Sequence, residues 1–267
     1  MKKYFILFIV AFALSSSCIA CFGTMRNWTS GYKETTVDDV GDATFKISIE
    51  ITVEETIVLN SSGTGFNIAT GNGISIIMTA GHVCIGDDIL EGSTLRITNR
   101  VFKITSNKDT SYDAYIVVDN DELDVCLMAV LGEVSKPLHI AKKHPKIGDK
   151  VKYVGAPSGF WVEDFVQVFG GLYGGNTDFI VHKCTLEEME KIWPDTCDDR
   201  KVIMAFYSVW AEGGSSGSPV FTEDGVVGIL TKNTHAHDGG GEYTAGVDME
   251  SLAPFFEMAK ELTAENK

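Results

Sequence analysis

Short β-forming runs dominate this chain, and they fall into two sets around a single break. The first set is 45–53, 57–59, 65–70, 74–78, 95–97, 115–118 and 125–131. The second is 151–154, 165–169, 179–181, 202–209, 218–221, 226–231 and 244–247. The break, 135–148, carries Pro137, Pro145 and several basic residues. Within the first run, Phe45, Ile47, Ile49, Ile51 and Val53 share one face, the period-two signature of a half-buried strand. Many short strands separated by Gly, Asn and Asp turns predict a sandwich or a barrel. Two sets around one break predict an all-β chain of two packed barrels. Only the C-terminal end reads as a helix. Leu252, Phe255, Phe256 and Ala259 recur at i, i+3, i+4 and i+7. Proline is tolerated in a first helical turn, so Pro254 places the expected start near Ser251.

Composition removes some functions. The net charge of −15 argues against a nucleic-acid partner, because phosphate binding needs a basic surface. The N-terminus has the anatomy of a secretory leader: Lys2 and Lys3, an apolar stretch over 4–14, and a small-residue exit from Ser15 to Ala20. The apolar stretch is too short for a membrane span. Cleavage is expected after Ala20. A lipoprotein cut before Cys18 or Cys21 is the alternative, although the usual leucine three residues earlier is replaced by Ser15 or Cys18. The expected organisation is a leader over 1–20, a polar lead over 21–42, a first barrel over 43–135, a second over 136–249, and a helix with its tail over 250–267. Membrane association is expected only in the lipid-anchored form.

Three polar residues stand at the edges of apolar strands. In Gly213-Gly214-Ser215-Ser216-Gly217-Ser218-Pro219, a serine sits among glycines just before Val220-Phe221. A nucleophilic hydroxyl needs such clearance, and glycine allows the sharp turn that aims backbone N–H groups at a developing oxyanion. Thr79-Ala80-Gly81-His82 follows the apolar run 74–78, and Asp124 heads Val125-Cys126-Leu127-Met128. Each alone reads as an ordinary turn or loop residue. Together, in the order His, Asp, Ser, they have the chain order of one acyl-transfer triad.

With these motifs the chain resembles the trypsin-like, chymotrypsin-fold serine peptidases, in particular the bacterial branch with glutamyl endopeptidases and HtrA-like proteases. The T-A-G-H block, the acid motif at Asp124, the segment Gly214 to Pro219 and the strand Gly225-Val226-Val227-Gly228-Ile229-Leu230 carry the likeness, which spans roughly 43–262. The resemblance implies two six-stranded Greek-key barrels closed by a C-terminal helix against the second barrel. The residues after Ser216 are too few for the PDZ domain of HtrA proteins. It implies His82 as general base, Asp124 as orienting acid and Ser216 as nucleophile, with Asp113, Asp119 and Asp121 as weaker candidates for the acid. It also implies an oxyanion hole from the backbone N–H groups of Gly214 and Ser216. Thr231 takes the place of a hydroxyl that supports the acid.

Substrate contacts are expected at Trp210, Gly213, Leu230, Thr231 and Lys232. Leu230 stands where glutamyl endopeptidases carry a substrate-reading histidine, and Trp210 brings no charge to the pocket floor. These residues imply a pocket for uncharged side chains, with Lys232, His235 and His237 the basic residues able to change that. Ser215 replaces the zymogen acid, so activation by an N-terminal ion pair is not expected.

Export permits disulfides, and a Cys184–Cys197 bridge is expected upstream of the nucleophile, where chymotrypsin-fold proteins often close a loop. Cys84 and Cys126 lie two residues past His82 and Asp124; they read as buried free thiols slightly better than as a bridge. His235 and His237 read as a solvated loop, lacking a third ligand block. Asn27 and Asn60 match a glycosylation sequon, relevant only in a eukaryotic secretory host. No cofactor or metal is expected, the partner is a polypeptide substrate, and the chain is expected to be monomeric. A silent binding protein on the same fold is the rival, since fold does not fix function.

Overall fold

The structure is a computed structural model that describes residues 34–53, 56–85, 97–161, 163, 166–183, 198–234 and 243–264. The chain divides into two units, Met1–Glu34 and Thr35–Lys267. The second unit contains two closed antiparallel barrels of six strands each. The first barrel is built from β1 (Thr44–Val53), β2 (Thr56–Gly71), β3 (Ile74–Ala80), β4 (Ile97–Thr105), β5 (Ser111–Asn120) and β6 (Val125–Leu131). The second uses β7 (Lys150–Val154), β8 (Val168–Lys183), β9 (Asp198–Tyr207), β10 (Pro219–Thr222), β11 (Gly225–Thr234) and β12 (Tyr243–Asp248). Both share one plan. Two three-strand meanders pair through their last strands, β3 with β6 and β9 with β12, and close through their first, β1 with β4 and β7 with β10. Closure leaves no strand edge to aggregate.

The alternation in β1 is real: Phe45, Ile47, Ile49 and Ile51 are buried inside the first barrel with Ile77, Phe102, Ile104 and Met128. Each such side chain contributes about 1.5–3 kcal/mol when fully buried. Tyr153, Tyr173, Tyr207, Val220 and Val227 fill the second barrel. A third apolar cluster joins the barrels through Phe66, Met78, Leu127, Val154, Phe221 and Ile229.

Some elements differ from the sequence expectation. The runs 57–59 and 65–70 form one long strand, β2, and 179–181 continues β8; the ladder is made by backbone groups, so polar residues between apolar runs do not interrupt it. Helix α1 (Val37–Ala43) occupies part of the expected polar lead. Its start is a capping box in which Thr36 and Asp39 each bond the other's backbone N–H. A single turn, α2 (Gly81–Ile85), succeeds β3. The C-terminal helix α3 (Met249–Thr263) begins earlier than Ser251, because Asp248 caps it by accepting from the Glu250 N–H at 2.8 Å. Pro254 therefore lies beyond the first turn. The apolar face of α3 packs into the seam between the barrels rather than on the second alone: Leu252, Phe255, Phe256 and Ala259 join the cluster of Phe66, Ile68 and Ile76 from the first. Its end meets the β2–β3 turn, where Asn72 and Gly73 both have positive φ, as a two-residue hairpin turn requires. The Asn72 amide donates to the Ala264 carbonyl.

The free-thiol reading of Cys84 and Cys126 is corrected: they form a disulfide, with Cα atoms 6.4 Å apart. The ladder explains why. Thr79 pairs with Cys126 and Ala80 with Val125, so the turn α2 that leaves β3 lies over the start of β6. Cys184 and Cys197 lie outside the described residues. Changing Cys84 and Cys126 to Ser together should cost about 2–4 kcal/mol of stability, read as a lower denaturant midpoint. Reductant should then shift the midpoint of the double variant less than that of the native chain.

Candidate functional site

The paired ends of β3 and β6 bring the first two polar residues together. Gly81 leaves so little room that a Cβ there would lie 3.0 Å from the Asp124 carbonyl carbon. His82 Nδ1 is 3.0 Å from both Asp124 carboxylate oxygens, and the His82 backbone N–H donates to Asp124 Oδ1 at 2.8 Å. Asp124 has φ +54, a left-handed conformation that Asp tolerates better than most residues. Among the described residues Asp124 is the acid bonded to His82; Asp113, Asp119 and Asp121 are not. A carboxylate only accepts, so Nδ1 carries the proton of the neutral ring and Nε2 is left as the acceptor.

The glycine-rich turn before β10 comes from the second barrel but is fastened to the first. Its anchor is Thr64 of β2, fully buried. The Thr64 N–H donates to the Ser216 carbonyl at 2.8 Å, and its hydroxyl donates to the Gly214 carbonyl at 2.8 Å. The same hydroxyl accepts from the Ala156 N–H at 2.9 Å, and its carbonyl accepts from the Thr79 hydroxyl at 2.7 Å. Gly217, at φ +87, passes so close that a Cβ would lie 1.9 Å from the Thr64 carbonyl oxygen. Gly214, at φ +90, would place one 2.4 Å from the Ala156 carbonyl oxygen. No other residue type fits either position without moving backbone. A Cβ on Gly63 would meet both Val83, one residue past His82, and the Ser216 carbonyl oxygen. Among the described residues, no hydrogen bond joins the Ser216 hydroxyl to the imidazole.

The N–H groups of this turn divide into two sets. Ser215 donates to the Glu212 carbonyl at 2.9 Å, Gly217 to the Leu230 carbonyl at 2.7 Å and Ser218 to the Ser215 carbonyl at 3.0 Å. Those of Gly214 and Ser216 donate to no acceptor among the described residues. Two adjacent, unengaged donors beside a partly exposed serine can receive negative charge on a bound oxygen.

A cavity of about 140 Å³ opens beside Ser216, lined by Ala211, Glu212, Gly213, Ser215, Leu230, Thr231 and Thr244. Of the expected contact residues, Gly213, Leu230 and Thr231 line it. Trp210 does not: its ring packs on Phe169, which stacks on Tyr153. Lys232 continues β11, and its side chain lies outside the described residues, as do His235 and His237. Thr231 is not bonded to Asp124; its hydroxyl is buried without a partner at a break in the β11–β12 register, which turns it toward the cavity. Ser215, in the place of a zymogen acid, is buried, and its hydroxyl is 3.5 Å from that of Tyr153. Burial, the largest cause, pushes the Tyr153 phenol up to about 12. It therefore stays neutral and donates to the Trp210 carbonyl at 2.7 Å. Glu212 was not anticipated from sequence. It accepts from the Ser158 hydroxyl at 2.7 Å and is the single charged lining residue among the described residues.

Thr64 also went unread, although Gly63 and Gly65 flank it within a strand, a mark of close backbone approach. Thr64→Val keeps the shape and removes the hydroxyl. It should orphan the Gly214 carbonyl and the Ala156 N–H and destabilise the fold by about 1–3 kcal/mol. Urea unfolding checks this; an unchanged midpoint would show that water replaces both bonds.

Comparisons with known proteins bear on the family and the fold. A family model described as a trypsin-like peptidase domain matches residues 63–229. A comparison with curated proteins finds no match. Among solved structures, the chain is similar to the Rv3671c protease from M. tuberculosis in its active form. The two share 18% identity at a TM-score of 0.61, over 89% of this chain and 88% of that one. At that identity the likeness is one of fold.

Proposed function

Because the chain belongs to the trypsin-like peptidase domain family, we propose that it is an exported serine endopeptidase acting through an acyl-enzyme on Ser216. The observation that carries the reading is the His82–Asp124 pair, which commits Nδ1 and leaves Nε2 for the serine. His82 Nε2 takes the hydroxyl proton as Ser216 Oγ attacks the substrate carbonyl carbon. Asp124 holds the tautomer and stabilises the imidazolium. The two unengaged N–H groups, of Gly214 and Ser216, receive the oxyanion. The C–N bond then breaks, and the leaving amine takes its proton from His82. Water, deprotonated by the same nitrogen, releases the acyl group. Losing one oxyanion donor typically costs about 3 kcal/mol of transition-state stabilisation.

Export rests on the leader sequence. The Cys84–Cys126 bridge supports it, since disulfides persist in oxidising compartments. The silent-binder alternative has less support, because no triad position is substituted.

The substrate side chain preceding the cut enters the cavity beside Ser216. Leu230 and the threonine hydroxyls offer no positive charge, and Glu212 adds a negative one. Burying an acidic side chain there without a partner costs several kcal/mol, so cleavage after residues other than Asp and Glu is expected.

A fluorophosphonate probe should label the native mature protein and not Ser216→Ala. Labelling that survives the substitution, or is absent from well-folded native protein, rejects the peptidase reading in favour of the binding protein. Asp124→Asn should lower kcat by about 10⁴-fold, the loss typical when the wrong tautomer is held. Peptide-library profiling checks the pocket: dominant cleavage after Glu or Asp would assign acid recognition to Lys232, His235 or His237.

A further inference from the structure

Far from Ser216 in sequence terms, and unused by the chemistry above, three ligand-type side chains converge where the inter-barrel segment meets the start of α3. His144 Nε2 is 2.9 Å from Glu250 Oε1, and its Nδ1 is 3.7 Å from Asp248 Oδ2. One ligand atom from each lies within 4.8 Å of the others, and no other such His, Cys, Asp and Glu group occurs among the described residues. We propose that His144, Asp248 and Glu250 bind a transition-metal dication of the Zn2+ class, stapling the inter-barrel segment to the C-terminal helix.

Four observations support the assignment. Asp248 is almost wholly buried, at 1% exposure, and such a carboxylate needs a cationic partner. Its two oxygens are divided: Oδ1 caps α3 through the Glu250 N–H, and Oδ2 faces His144. The Asn176 amide donates to Oδ2 at 3.4 Å, the kind of outer contact that orients a ligating carboxylate. The fourth is a hydroxyl in want of a partner. Tyr207 Oη is fully buried and unbonded. It reaches the same end of the barrel, since a Cβ on Gly228 would lie 2.0 Å from it and Gly228 is the strand partner of Asp248. Burial first, and then the charge of Asp248, push this phenol well above its ordinary value.

One imidazole and two carboxylates make three protein ligands, leaving a position for water, which would give Tyr207 its missing hydrogen-bond partner. Imidazole in the set favours Zn2+ over Ca2+ or Mg2+, which take oxygen ligands. His144 and Glu250 are 34% and 68% exposed, so the site opens to solvent and a cation can enter. The ligands come from two segments on either side of the second barrel in sequence, and no local spacing announces them.

Calorimetric titration of the full chain with ZnCl2, and separately with CaCl2, tests this. One Zn2+ per chain is expected, at least tenfold tighter than Ca2+, with a rise in melting temperature. His144→Gln and Glu250→Gln, which spare the buried cap of Asp248, should each weaken Zn2+ at least tenfold. His235→Ala with His237→Ala should leave it unchanged. X-ray absorption of the Zn2+-loaded native chain should report a nitrogen and oxygen shell without sulfur. Absence of binding, binding undiminished in the two Gln variants, preference for Ca2+, or a sulfur ligand would each overturn the proposal. The Gln variants also report independently of the peptidase reading, because neither residue belongs to the Ser216 site.

Discussion

The arrangement of the site depends on the hydrogen bonding of one buried residue, Thr64. An apolar seam between two barrels does not by itself fix the glycine-rich turn of one against the strands of the other. Thr64 supplies that fixity by using its N–H and hydroxyl on partners outside its own ladder, while its carbonyl accepts from the Thr79 hydroxyl of β3. The glycine turn is thereby sewn onto β2 of the first barrel. Gly214 and Gly217 are the complement of this constraint, since backbone from β2 and from the segment after β7 occupies the space their side chains would need. The unengaged N–H groups of Gly214 and Ser216 are a by-product of the same geometry. The carbonyls of the same two residues are pulled toward Thr64, and their N–H groups meet no acceptor among the described residues.

The His82–Asp124 pair is organised on a different principle. It sits where two hydrogen-bonded strands end together, so that the last pair of the ladder, Ala80 with Val125, fixes the distance between the residues just beyond it. The disulfide closes the same corner from the inner side, with both cysteines fully buried in the core of the first barrel. A ladder, a bridge and the bond from the His82 N–H to Asp124 thus act on one corner. An acid held in a left-handed backbone conformation persists because its surroundings determine it from several sides.

The cavity beside Ser216 is shaped by irregularities of the second barrel. The break in register between β11 and β12 turns Thr231 out of the ladder. The neutral Tyr153 holds the Trp210 carbonyl from within the second barrel, and the Trp210 ring is drawn onto Phe169 and away from the cavity. Glu212, pinned by Ser158, is left at its edge. The seam helix α3 completes the assembly by covering apolar residues from both barrels.

Much of this was legible in the chain itself. Alternation in 45–53 and the repeated short runs specified strands, and the two sets around 135–148 specified two barrels, because period-two burial is a local property. The pairing of His82 with Asp124 was readable because each borders an apolar strand. The capping box at Thr36 and Asp39 and the glycines around Thr64 were local signals that went unread. Other features had no local signal at all. The bridging of Cys84 to Cys126, the turning away of Trp210, the entry of Glu212 and Thr244 into the cavity, and the meeting of His144 with Asp248 and Glu250 all depend on which strand ends lie side by side. Residue type and spacing determine what a segment can form and what chemistry it can offer. Which of those groups meet is decided only when closed barrels set the register of distant strands, since contact between them is a property of the ladder and not of the chain.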